Sequence, residues 1–497
     1  MAKIIASTFA ESVDQVAAAG RRAAMAGADW LELRLDRLPP HSDLVAMIGG
    51  VALPVLVACR TPEDGGYFRG TLGERRELLS AALAAGATGI DLEHWESWSP
   101  PAGRTGLRLR LRSFHSFTGV PKELHRLHHD LHANPGQVAK LVVTAHDLAD
   151  AAPVLDLLQG IDQREMPTVA FAMGRTAWPT RVLAAAFAAP FVYGSLEPGS
   201  ETAPGQPPVA LLAGLFRVQS LGLATRFAGL LGNPASTSLG PWLHNRACRR
   251  LGIDTIYLPF ETSRPEAVLA MLPRARLAGL SVTAPHKGTM AACCDRLAAD
   301  AAATGVVNTL VPSAGQLVGH NSDVAGVRLA LQGAGVGDGG GRPAIVLGGG
   351  GAARAGAIAL AGMGFTVTLL ARSHEPVREF ARQHGFGLGS LNNQVATSIA
   401  PAVLVNATPV GGLGRDADER LLPGYTPPAG AVVMDMVYQP RRTRLLRDAE
   451  AAGRSVVPGV EMFLAQAAEQ VSMFCGQRLA VAELRTFLAG TAAGAGD

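Results

Sequence analysis

The stretch AIVLGGGGAARAGAIALAGMGFTVTLLARS, residues 344–373, decides the fold of the second half of this chain. It contains an apolar run, a glycine turn, a helical stretch and a second β-branched run, in that order. The turn carries the pattern GxGxxA, formed by Gly348, Gly350 and Ala353, with Gly351 inside it. Such glycines permit a tight turn and let a pyrophosphate approach the N–H groups that open the helix. The stretch therefore predicts a Rossmann nucleotide-binding unit in which these residues contact the dinucleotide.

The end of the second run indicates which dinucleotide binds. Rossmann units that bind NAD place an acidic residue there to hold the ribose 2′-hydroxyl. Here the strand is followed by Arg372 and Ser373, and the acidic Glu375 comes only after the strand end. A guanidinium at this place suits a 2′-phosphate, so the sequence favours NADP, held by Arg372 and Ser373.

Length and composition bound the class of protein. A chain of 497 residues with 48% hydrophobic and 17% charged residues predicts several well-buried domains. A net charge of only +3, without a basic block, argues against a nucleic-acid or membrane surface. The start lacks a signal-peptide pattern, and no apolar run is long enough to span a bilayer. Five cysteines without a CxxC pair are typical of reduced thiols, so we expect a cytoplasmic protein.

The first half repeats a short apolar run followed by an Ala-rich helical stretch. Eight such runs within about 220 residues predict a (β/α)₈ barrel. Ser12 and Gly27 are expected to begin and end its first helix. The predicted strands are Lys3–Ser7, Trp30–Leu35, Val55–Arg60, Ile90–Glu93, Leu107–Arg112, Ala139–Thr144, Thr168–Ala172 and Phe191–Ser195.

Several polar side chains lie in or directly after these apolar runs. Glu32 and Arg34 share one strand face because strand side chains alternate. Barrel active sites form at the carboxyl ends of the strands, so polar residues there are candidates for function. Taken singly, a strand-end arginine or glutamate is more often part of an ion pair, and a lysine such as Lys140 more often reaches solvent. The others in this set are Arg60, Glu93, His115, Arg181 and Gln206.

Five segments of the first half resemble type I 3-dehydroquinate dehydratase, in that family's order. They are ELRLD (32–36), ACRTPEDGG (58–66), FHSF (114–117), AKLVV (139–143) and TAPGQ (202–206). The resemblance implies that Lys140 forms a Schiff base with a ketone and that His115 transfers protons. It implies a substrate-binding set of Glu32, Arg34, Arg60, Arg181, Thr202 and Gln206.

The implied chemistry needs these residue types. An iminium makes the neighbouring carbon acid far stronger than the ketone does, which requires a lysine amine. The amine must be partly neutral, and we expect cationic arginines around Lys140 to favour that form. One imidazole can serve as base and then as acid. The family has a glutamate before the Gly-Gly pair to hold the histidine; this chain has Asp64, preceded by Glu63, so the partner of His115 stays open.

Four histidines in ELHRLHHDLH share a helical face. His125, His128, His129 and His132 follow i, i+3, i+4 and i+7 spacing, which could hold a metal. No HExxH motif is present, and no carboxylate or cysteine on that face completes a ligand set. We therefore predict a solvated surface and no metal site.

The second half resembles shikimate dehydrogenase along its whole length. The matching segments are GNPASTSLGPWLHN (232–245), LSVTAPHK (280–287), VVNT (306–309), GHNSDVAG (319–326), VNATPVG (405–411), MDMVYQP (434–440) and PGVEMFLAQAA (458–468). The resemblance gives Lys287 and Asp323 the acid/base role. It implies substrate contacts from Ser238, Gly240, Thr283, Asn308, Tyr438 and Gln466. It implies nucleotide contacts from Asn406, Thr408 and Gly459.

One departure from the dehydrogenase pattern bears on selectivity. The family's SxSP loop reads Ser238-Leu239-Gly240-Pro241 here, so one hydroxyl for the substrate carboxylate is missing. We expect the glycine to open space beside ring carbon 1, where quinate carries a hydroxyl that shikimate lacks. Quinate oxidation is therefore an alternative activity of this half.

Together the two halves resemble the plant-type bifunctional enzyme of the shikimate pathway. The predicted domains are 1–222 for the dehydratase barrel, 223–325 for dehydrogenase substrate binding, completed by helices in 460–490, and 326–459 for NADP binding. The expected substrates are 3-dehydroquinate, 3-dehydroshikimate and shikimate; the oligomeric state stays open. A regulator without catalysis is one alternative, and such a protein would be expected to lose the reactive groups. A chain with one inactive half is another, which assays of the separately expressed halves would distinguish. The tail AGTAAGAGD (489–497) is predicted to be disordered.

Overall fold

The computed structural model describes residues 1–100, 106–132, 137–412 and 417–489. Its first half contains eight parallel strands hydrogen-bonded in the order β7-β6-β5-β4-β3-β2-β1-β8, which leaves β7 and β8 at the two ends of the order. The predicted barrel is confirmed as a near-closed one. Its strands are β1 (Lys3–Phe9), β2 (Trp30–Arg34), β3 (Val55–Ala58), β4 (Gly89–Glu93), β5 (Leu109–His115), β6 (Val138–Thr144), β7 (Thr168–Met173) and β8 (Phe191–Ser195).

Buried apolar side chains from several strands fill the barrel, among them Ile5, Leu56, Leu111 and Phe171. Strands buried on both faces read as near-continuous apolar runs, which is why the sequence revealed all eight. The fifth strand differs from the prediction, because it extends through His115 rather than ending at Arg112.

The helices of this half lie between the strands. They are α1 (Val13–Ala26), α2 (Leu44–Gly49), α3 (Leu72–Ala84), α4 (Leu124–Leu131), α5 (Ala152–Gly160) and α6 (Pro179–Ala186). The predicted ends of α1 are confirmed: Ser12 accepts the N–H of Gln15, and Gly27 ends the helix at φ 96°. After β8 the segment ALLAGLFRVQSLG (210–222), whose spacing predicts a helix, instead forms a π-helical turn over Leu211–Leu215 and a 3₁₀ turn over Val218–Ser220.

The next segment forms a mixed six-stranded sheet in the order β10-β9-β11-β13-β14-β12. Its strands are β9 (Arg226–Gly232), β10 (Thr255–Glu261), β11 (Leu277–Val282), β12 (Arg296–Leu297), β13 (Thr309–Ser313) and β14 (Gln316–His320). Its helices are α7 (Gly240–Leu251), α8 (Pro265–Met271), α9 (Lys287–Ala292), α10 (Ala299–Thr304) and α11 (Ser322–Gly333).

A second six-stranded sheet, parallel throughout, has the order β17-β16-β15-β18-β19-β20. Its strands are β15 (Pro343–Leu347), β16 (Thr366–Ala371), β17 (Gly387–Ser390), β18 (Val403–Asn406), β19 (Val432–Asp435) and β20 (Ser455–Val457). Its helices are α12 (Gly351–Gly362), α13 (Glu375–His384), α14 (Asn393–Ile399) and α15 (Arg444–Ala451). This is the Rossmann unit that the sequence predicted.

Two C-terminal helices, α16 (Gly459–Cys475) and α17 (Val481–Thr486), return to the first dehydrogenase sheet region. Leu464 and Leu484 share a buried cluster there with Leu243 of α7. The chain divides into two compact units, residues 1–226 with 260–276, and residues 227–259 with 277–497. Among the described residues, no helix combines the length and apolarity needed to cross a bilayer. The tail from residue 490 onward, predicted to be disordered, lies outside the described residues.

Candidate active sites

The carboxyl ends of the barrel strands surround a cavity of about 90 Å³. Every residue that the dehydratase resemblance singled out lines this cavity. They are Glu32, Arg34, Arg60, His115, Lys140, Arg181, Thr202 and Gln206.

Lys140 lies on β6 and is only 4% exposed. Its Nζ lies 2.9 Å from a carboxylate oxygen of Asp91 and 3.7 Å from Glu32. Carboxylates are thus the charged groups nearest to Nζ, and of the expected arginines Arg60 lies close by, because it binds the same Asp91 oxygen at 2.7 Å. Asp91 was missed by the sequence analysis, although it stands two residues before Glu93 on the same face of β4. Burial alone would raise the pKa of Asp91, but the Lys140 ammonium and the Arg60 guanidinium hold that pKa well below its ordinary value.

His115 ends β5 beside two charged groups. Its Nδ1 lies 2.9 Å from Nη1 of Arg60 and 3.3 Å from Glu93. Burial, reinforced by the charges of Arg60 and Lys140, lowers the pKa of His115 well below its ordinary value. The imidazole is therefore neutral at pH 7 and can accept a proton.

The sequence left Asp64 and Glu63 as partners of His115, and the structure provides a third residue, Glu93. The Asp64 carboxylate instead accepts hydrogen bonds from Trp95 Nε1 at 3.1 Å and from Thr61 at 3.0 Å. Burial raises the pKa of Asp64, against the effect of those bonds. Strand register places Glu93 beside the histidine, and sequence adjacency cannot show this.

The three cavity arginines differ in their partners. Arg34 is bidentate to Asp36 at 2.7 and 2.9 Å, and Arg60 binds Asp91 and Glu93 at 2.7 and 2.6 Å. Arg181 is 1% exposed and has no ion pair within the described part of the chain. Its Nη2 donates only to the Pro204 carbonyl at 3.4 Å. Burial lowers its pKa to about 9, so a bound anion would stabilise this guanidinium.

A group of hydrogen-bonded polar side chains lies on one side of the same cavity. The Thr202 hydroxyl lies 2.9 Å from the Ser7 hydroxyl and 3.2 Å from Oε1 of Gln206. Ser7 donates in turn to Glu32 at 2.5 Å. These contacts orient Glu32 and Gln206 toward the cavity before any ligand arrives.

The prediction of a solvated histidine face is wrong for part of α4. His128 is 5% exposed, and its Nε2 lies 2.8 Å from the Thr168 hydroxyl. His132 is half-buried beside it, whereas the side chains of His125 and His129 are exposed. The shared face includes the buried side of the helix, because Leu124 and Leu131 pack inward at i−4 and i+3 from His128. Within the described ranges no cluster of potential metal ligands is found.

The second candidate site is a cleft of about 290 Å³ in the second unit. Lys287 opens α9 and Asp323 lies in the first turn of α11, and the Lys287 ammonium hydrogen bonds the Asp323 carboxylate. The backbone N–H of Asp323 donates to the side chain of Asn321 at 3.2 Å. An ammonium held by a carboxylate at the edge of a cleft can protonate a developing alkoxide.

A chain of amides and hydroxyls continues from this pair. Asn308 accepts the N–H of Ser322 at 2.8 Å and donates to its hydroxyl at 3.0 Å. Ser322 donates to Gln466 at 3.2 Å. Thr283 also lines the cleft. Ser322 was missed by the sequence analysis, although it stands inside the quoted segment GHNSDVAG.

Hydroxyl groups gather around Gly240 in the same cleft. Ser238 accepts the N–H of Gly240 at 3.0 Å. Tyr438 and the buried Tyr257 line the cleft with them. A Cβ at Gly240 would meet the Tyr257 ring and hydroxyl, each at 3.2 Å. The expectation that the glycine leaves open space is therefore wrong, because Tyr257 occupies that side.

The glycine turn fits a dinucleotide phosphate. Gly348 adopts φ +124°, where L side chains are strained, and a Cβ at Gly350 would meet nothing within 4 Å. No side chain caps α12, so the N–H groups of its first turn face outward from Gly350 and Gly351. A Cβ at Gly351 would lie 3.4 Å from the Lys287 side chain, so the turn adjoins the Lys287–Asp323 pair.

The other predicted nucleotide contacts differ in exposure. Arg372 and Ser373 are exposed after β16, and Arg372 has no ion pair among the described residues. Asn406 is fully buried and bonds Asp435 at 2.9 Å and the N–H of Thr408 at 2.9 Å. Its amide therefore shapes the loop that carries Thr408. Gly459 lines the cleft, and a Cβ there would lie 2.4 Å from the Val437 carbonyl.

The fold and the two sites define a chain that joins a lysine-dependent barrel enzyme to a nucleotide-dependent dehydrogenase. The family model for type I 3-dehydroquinase matches residues 4–221, and that for the shikimate dehydrogenase substrate binding domain matches residues 230–310. The chain belongs to the family of bifunctional 3-dehydroquinate dehydratase/shikimate dehydrogenases.

The relatives cover one or both halves. The bifunctional enzyme of Arabidopsis thaliana, named as chloroplastic, is 31% identical over 95% of this chain and 82% of its own length. A shikimate dehydrogenase (NADP(+)) of Halobacterium salinarum is 40% identical over 52% of this chain and 97% of its own. A solved shikimate 5-dehydrogenase of Thermus thermophilus, in complex with NADP(H) and shikimate, has a TM-score of 0.46 at 30% identity, over 53% of this chain and 98% of its own.

Proposed function

We propose that the barrel dehydrates 3-dehydroquinate through a Schiff base on Lys140 and that the second half reduces 3-dehydroshikimate with NADPH. The observation that carries the first activity is the buried Lys140 beside the neutral His115 in one cavity. We assign residues 1–222 to the dehydratase, 223–325 with helices in 460–490 to shikimate binding, and 326–459 to NADP binding.

In the dehydratase, Arg181 is the group best suited to the substrate carboxylate, because it is buried without a carboxylate of its own. Once the ketone has become an iminium on Lys140, the His115 imidazole removes the adjacent ring proton. Glu93, 3.3 Å away, stabilises the resulting imidazolium, which returns the proton to the departing hydroxyl. The remaining substrate contacts are assigned to Glu32, Arg34, Arg60, Thr202 and Gln206.

In the dehydrogenase, bound NADPH supplies the hydride. Lys287 donates the proton to the substrate oxygen, and Asp323 keeps its ammonium in place. The nucleotide is assigned to the glycine turn at the start of α12 and to Arg372 and Ser373 after β16. Further nucleotide contacts are assigned to the loop that carries Thr408 and to Gly459 at the start of α16. Substrate hydrogen bonds are assigned to Ser238, Thr283, Asn308, Tyr438 and Gln466, with Gly240 adjacent.

Two measurements on the whole chain test the proposal. Purified protein given 3-dehydroquinate and NADPH should consume NADPH and form shikimate. Borohydride added with substrate should attach a ring-derived mass to the peptide that contains Lys140. Labelling of another lysine, or of none, would contradict the Schiff-base assignment. An absence of NADPH oxidation with 3-dehydroshikimate would contradict the proposed reductase activity.

A further inference from the structure

Tyr193 of β8 brings an unused polar group into the dehydratase cavity. Its side chain lines the cavity and is 3% exposed. Within the described part of the chain, its buried hydroxyl has no hydrogen-bond partner. A buried hydroxyl without a partner is unfavourable, so native proteins rarely keep one without a reason.

The ring of Tyr193 lies against the reactive amine. Lys140 Nζ stands 3.9 Å from the ring centroid, within the range of a cation–π contact. Any carbonyl carbon that Nζ attacks must therefore come next to this ring, which belongs to a side chain that lines the same cavity. Phe171, whose ring centroid is 6.4 Å away, limits the positions open to Tyr193.

The hydroxyl is suited to donate rather than to accept a proton. Burial, reinforced by the carboxylates of Glu32 and Asp91, raises the pKa of Tyr193 well above its ordinary value. The phenol is therefore protonated at every working pH. The guanidinium of Arg34 is bonded to Asp36, and that of Arg60 is bonded to carboxylates and faces His115. Tyr193 thus offers an uncommitted O–H beside Lys140.

We propose that Tyr193 is a further catalytic residue of the dehydratase, whose hydroxyl donates a hydrogen bond to the substrate ketone oxygen while Lys140 adds to the carbonyl. In that step the Lys140 ammonium first passes one proton to the neutral His115 imidazole, which lines the same cavity. The amine lone pair then forms the C–N bond and the C=O π pair moves to oxygen. One amine proton then passes to that oxygen, which gives a neutral carbinolamine. The Tyr193 hydrogen bond stabilises the negative charge that develops on the oxygen and is not consumed. This inference rests on the proposed role of Lys140.

The test is Tyr193→Phe in the full chain, which keeps the ring and removes only the hydroxyl. The kcat of dehydration and the rate of borohydride trapping on Lys140 should fall about tenfold, since one hydrogen bond of ordinary strength corresponds to about that factor. NADPH-dependent reduction by the same molecules should be unchanged. The melting temperature of the barrel should stay level or rise, because a buried unpaired hydroxyl is gone. Tyr67→Phe, at an exposed tyrosine of the same unit, is the matched control.

The outcomes separate this inference from the proposed function. If wild type is trapped on Lys140 but Tyr193→Phe dehydrates and traps at the wild-type rate, only the Tyr193 inference fails. If the variant loses dehydration together with a lower melting temperature, the hydroxyl is structural and the inference also fails. If wild type is not trapped on Lys140 at all, the proposed function itself fails.

Discussion

At the scale of single residues, we propose that Arg372 distinguishes NADPH from NADH. It is exposed after β16, and no carboxylate among the described residues pairs with it. Arg372→Ala should raise KM for NADPH about ten- to hundredfold, because a charge-assisted contact to the 2′-phosphate contributes about 1.5–3 kcal/mol. KM for NADH should barely change, since NADH lacks that phosphate. Initial rates of 3-dehydroshikimate reduction with each cofactor provide the measurement.

The matched control for Arg372 is Arg378→Ala, an exposed arginine of α13 that pairs with Glu375 at 3.4 Å. It should leave both Michaelis constants unchanged. A wild-type protein that prefers NADH would contradict the assignment of Arg372, at the end of β16, to the 2′-phosphate of NADPH.

Gly240 offers a test of substrate selectivity. A serine there would place a second hydroxyl near Ser238, but its Cβ would meet Tyr257 and Ser238 at 3.2 Å, so both must yield by a few tenths of an ångström. We expect Gly240→Ser to raise kcat/KM for shikimate up to about tenfold and to increase the preference for shikimate over quinate. Specificity constants for both substrates measure this effect.

Gly240→Ala separates the hydroxyl from its volume, because it adds the same Cβ without an oxygen. If alanine and serine change the two specificity constants equally, the carboxylate does not contact this position and steric pressure on Tyr257 explains the result. Equal constants for all three proteins would mean that position 240 has no part in substrate recognition.

The residue types of both sites and the Lys287–Asp323 pair could be predicted from sequence, whereas the partners of Lys140 and His115 could not. Lys140 and His115 stand inside motifs, so short-range patterns revealed them. Asp91 and Glu93 lie on β4 and contact Lys140 and His115 on other strands. Which residues meet across strands depends on the strand register, and the packing of the whole barrel determines that register. The alternation of strand side chains could have revealed Asp91 once Glu93 was known to face inward. Tyr193 was passed over because a tyrosine within an apolar strand has the sequence pattern of an ordinary core residue.

At the scale of elements, we expect helix α4 to make the barrel sensitive to acid. Burial lowers the pKa of His128 from 6.5 to about 4, with smaller effects from His132, His125 and His129. The unfolded chain therefore binds more protons than the folded one between these values. Stability from His128 is fully present above about pH 6.5 and is lost as pH falls toward about 4. After allowance for solvent screening, the loss should be about 1–2 kcal/mol.

His128→Gln should flatten this part of the stability curve, because glutamine can still bond Thr168 but does not titrate. Denaturant unfolding at pH 7 and pH 5, followed by tryptophan fluorescence, measures the difference; four of the five tryptophans lie in residues 1–226. His129→Gln, at an exposed side chain of the same turn, should retain the wild-type slope. A wild-type slope in His128→Gln would show that the buried imidazole does not control the transition.

Helices and strands could be predicted from sequence where the local pattern of apolar residues or glycines was strong. The eight buried strands and the glycine turn at Gly348 have strong local patterns, and their existence was predicted correctly. The segment ALLAGLFRVQSLG (210–222) also has helical spacing, yet it forms a π-helical turn and a 3₁₀ turn. Arg217 there adopts φ 48°, so the chain reverses within the apparent helix. Such a reversal follows from how the segment packs back against the barrel, which spacing alone does not encode.

At the scale of the whole molecule, the two reactive lysines lie in separate compact units. Lys140 and its charged partners Asp91, Glu32 and Arg60 belong to the first unit, and the Lys287–Asp323 pair belongs to the second. Residues in separate compact units, with no shared partner, act additively as a rule. Each half should therefore lose its reaction without harming the other, although the product of the first is the substrate of the second.

Two full-length variants test this independence. Lys140→Ala should abolish dehydration, because we assign the Schiff base to this lysine, while 3-dehydroshikimate reduction continues at the wild-type rate. Lys287→Met should lower that reduction about 10²–10⁴-fold, as expected for a lost general acid, while dehydration continues. Separate assays with 3-dehydroquinate alone and with 3-dehydroshikimate plus NADPH give the readouts, and the unaffected activity in each variant shows that the unsubstituted unit has folded. A parallel fall of both activities in either variant would contradict the independence of the two units and would mean that one lysine supports the structure of the other half.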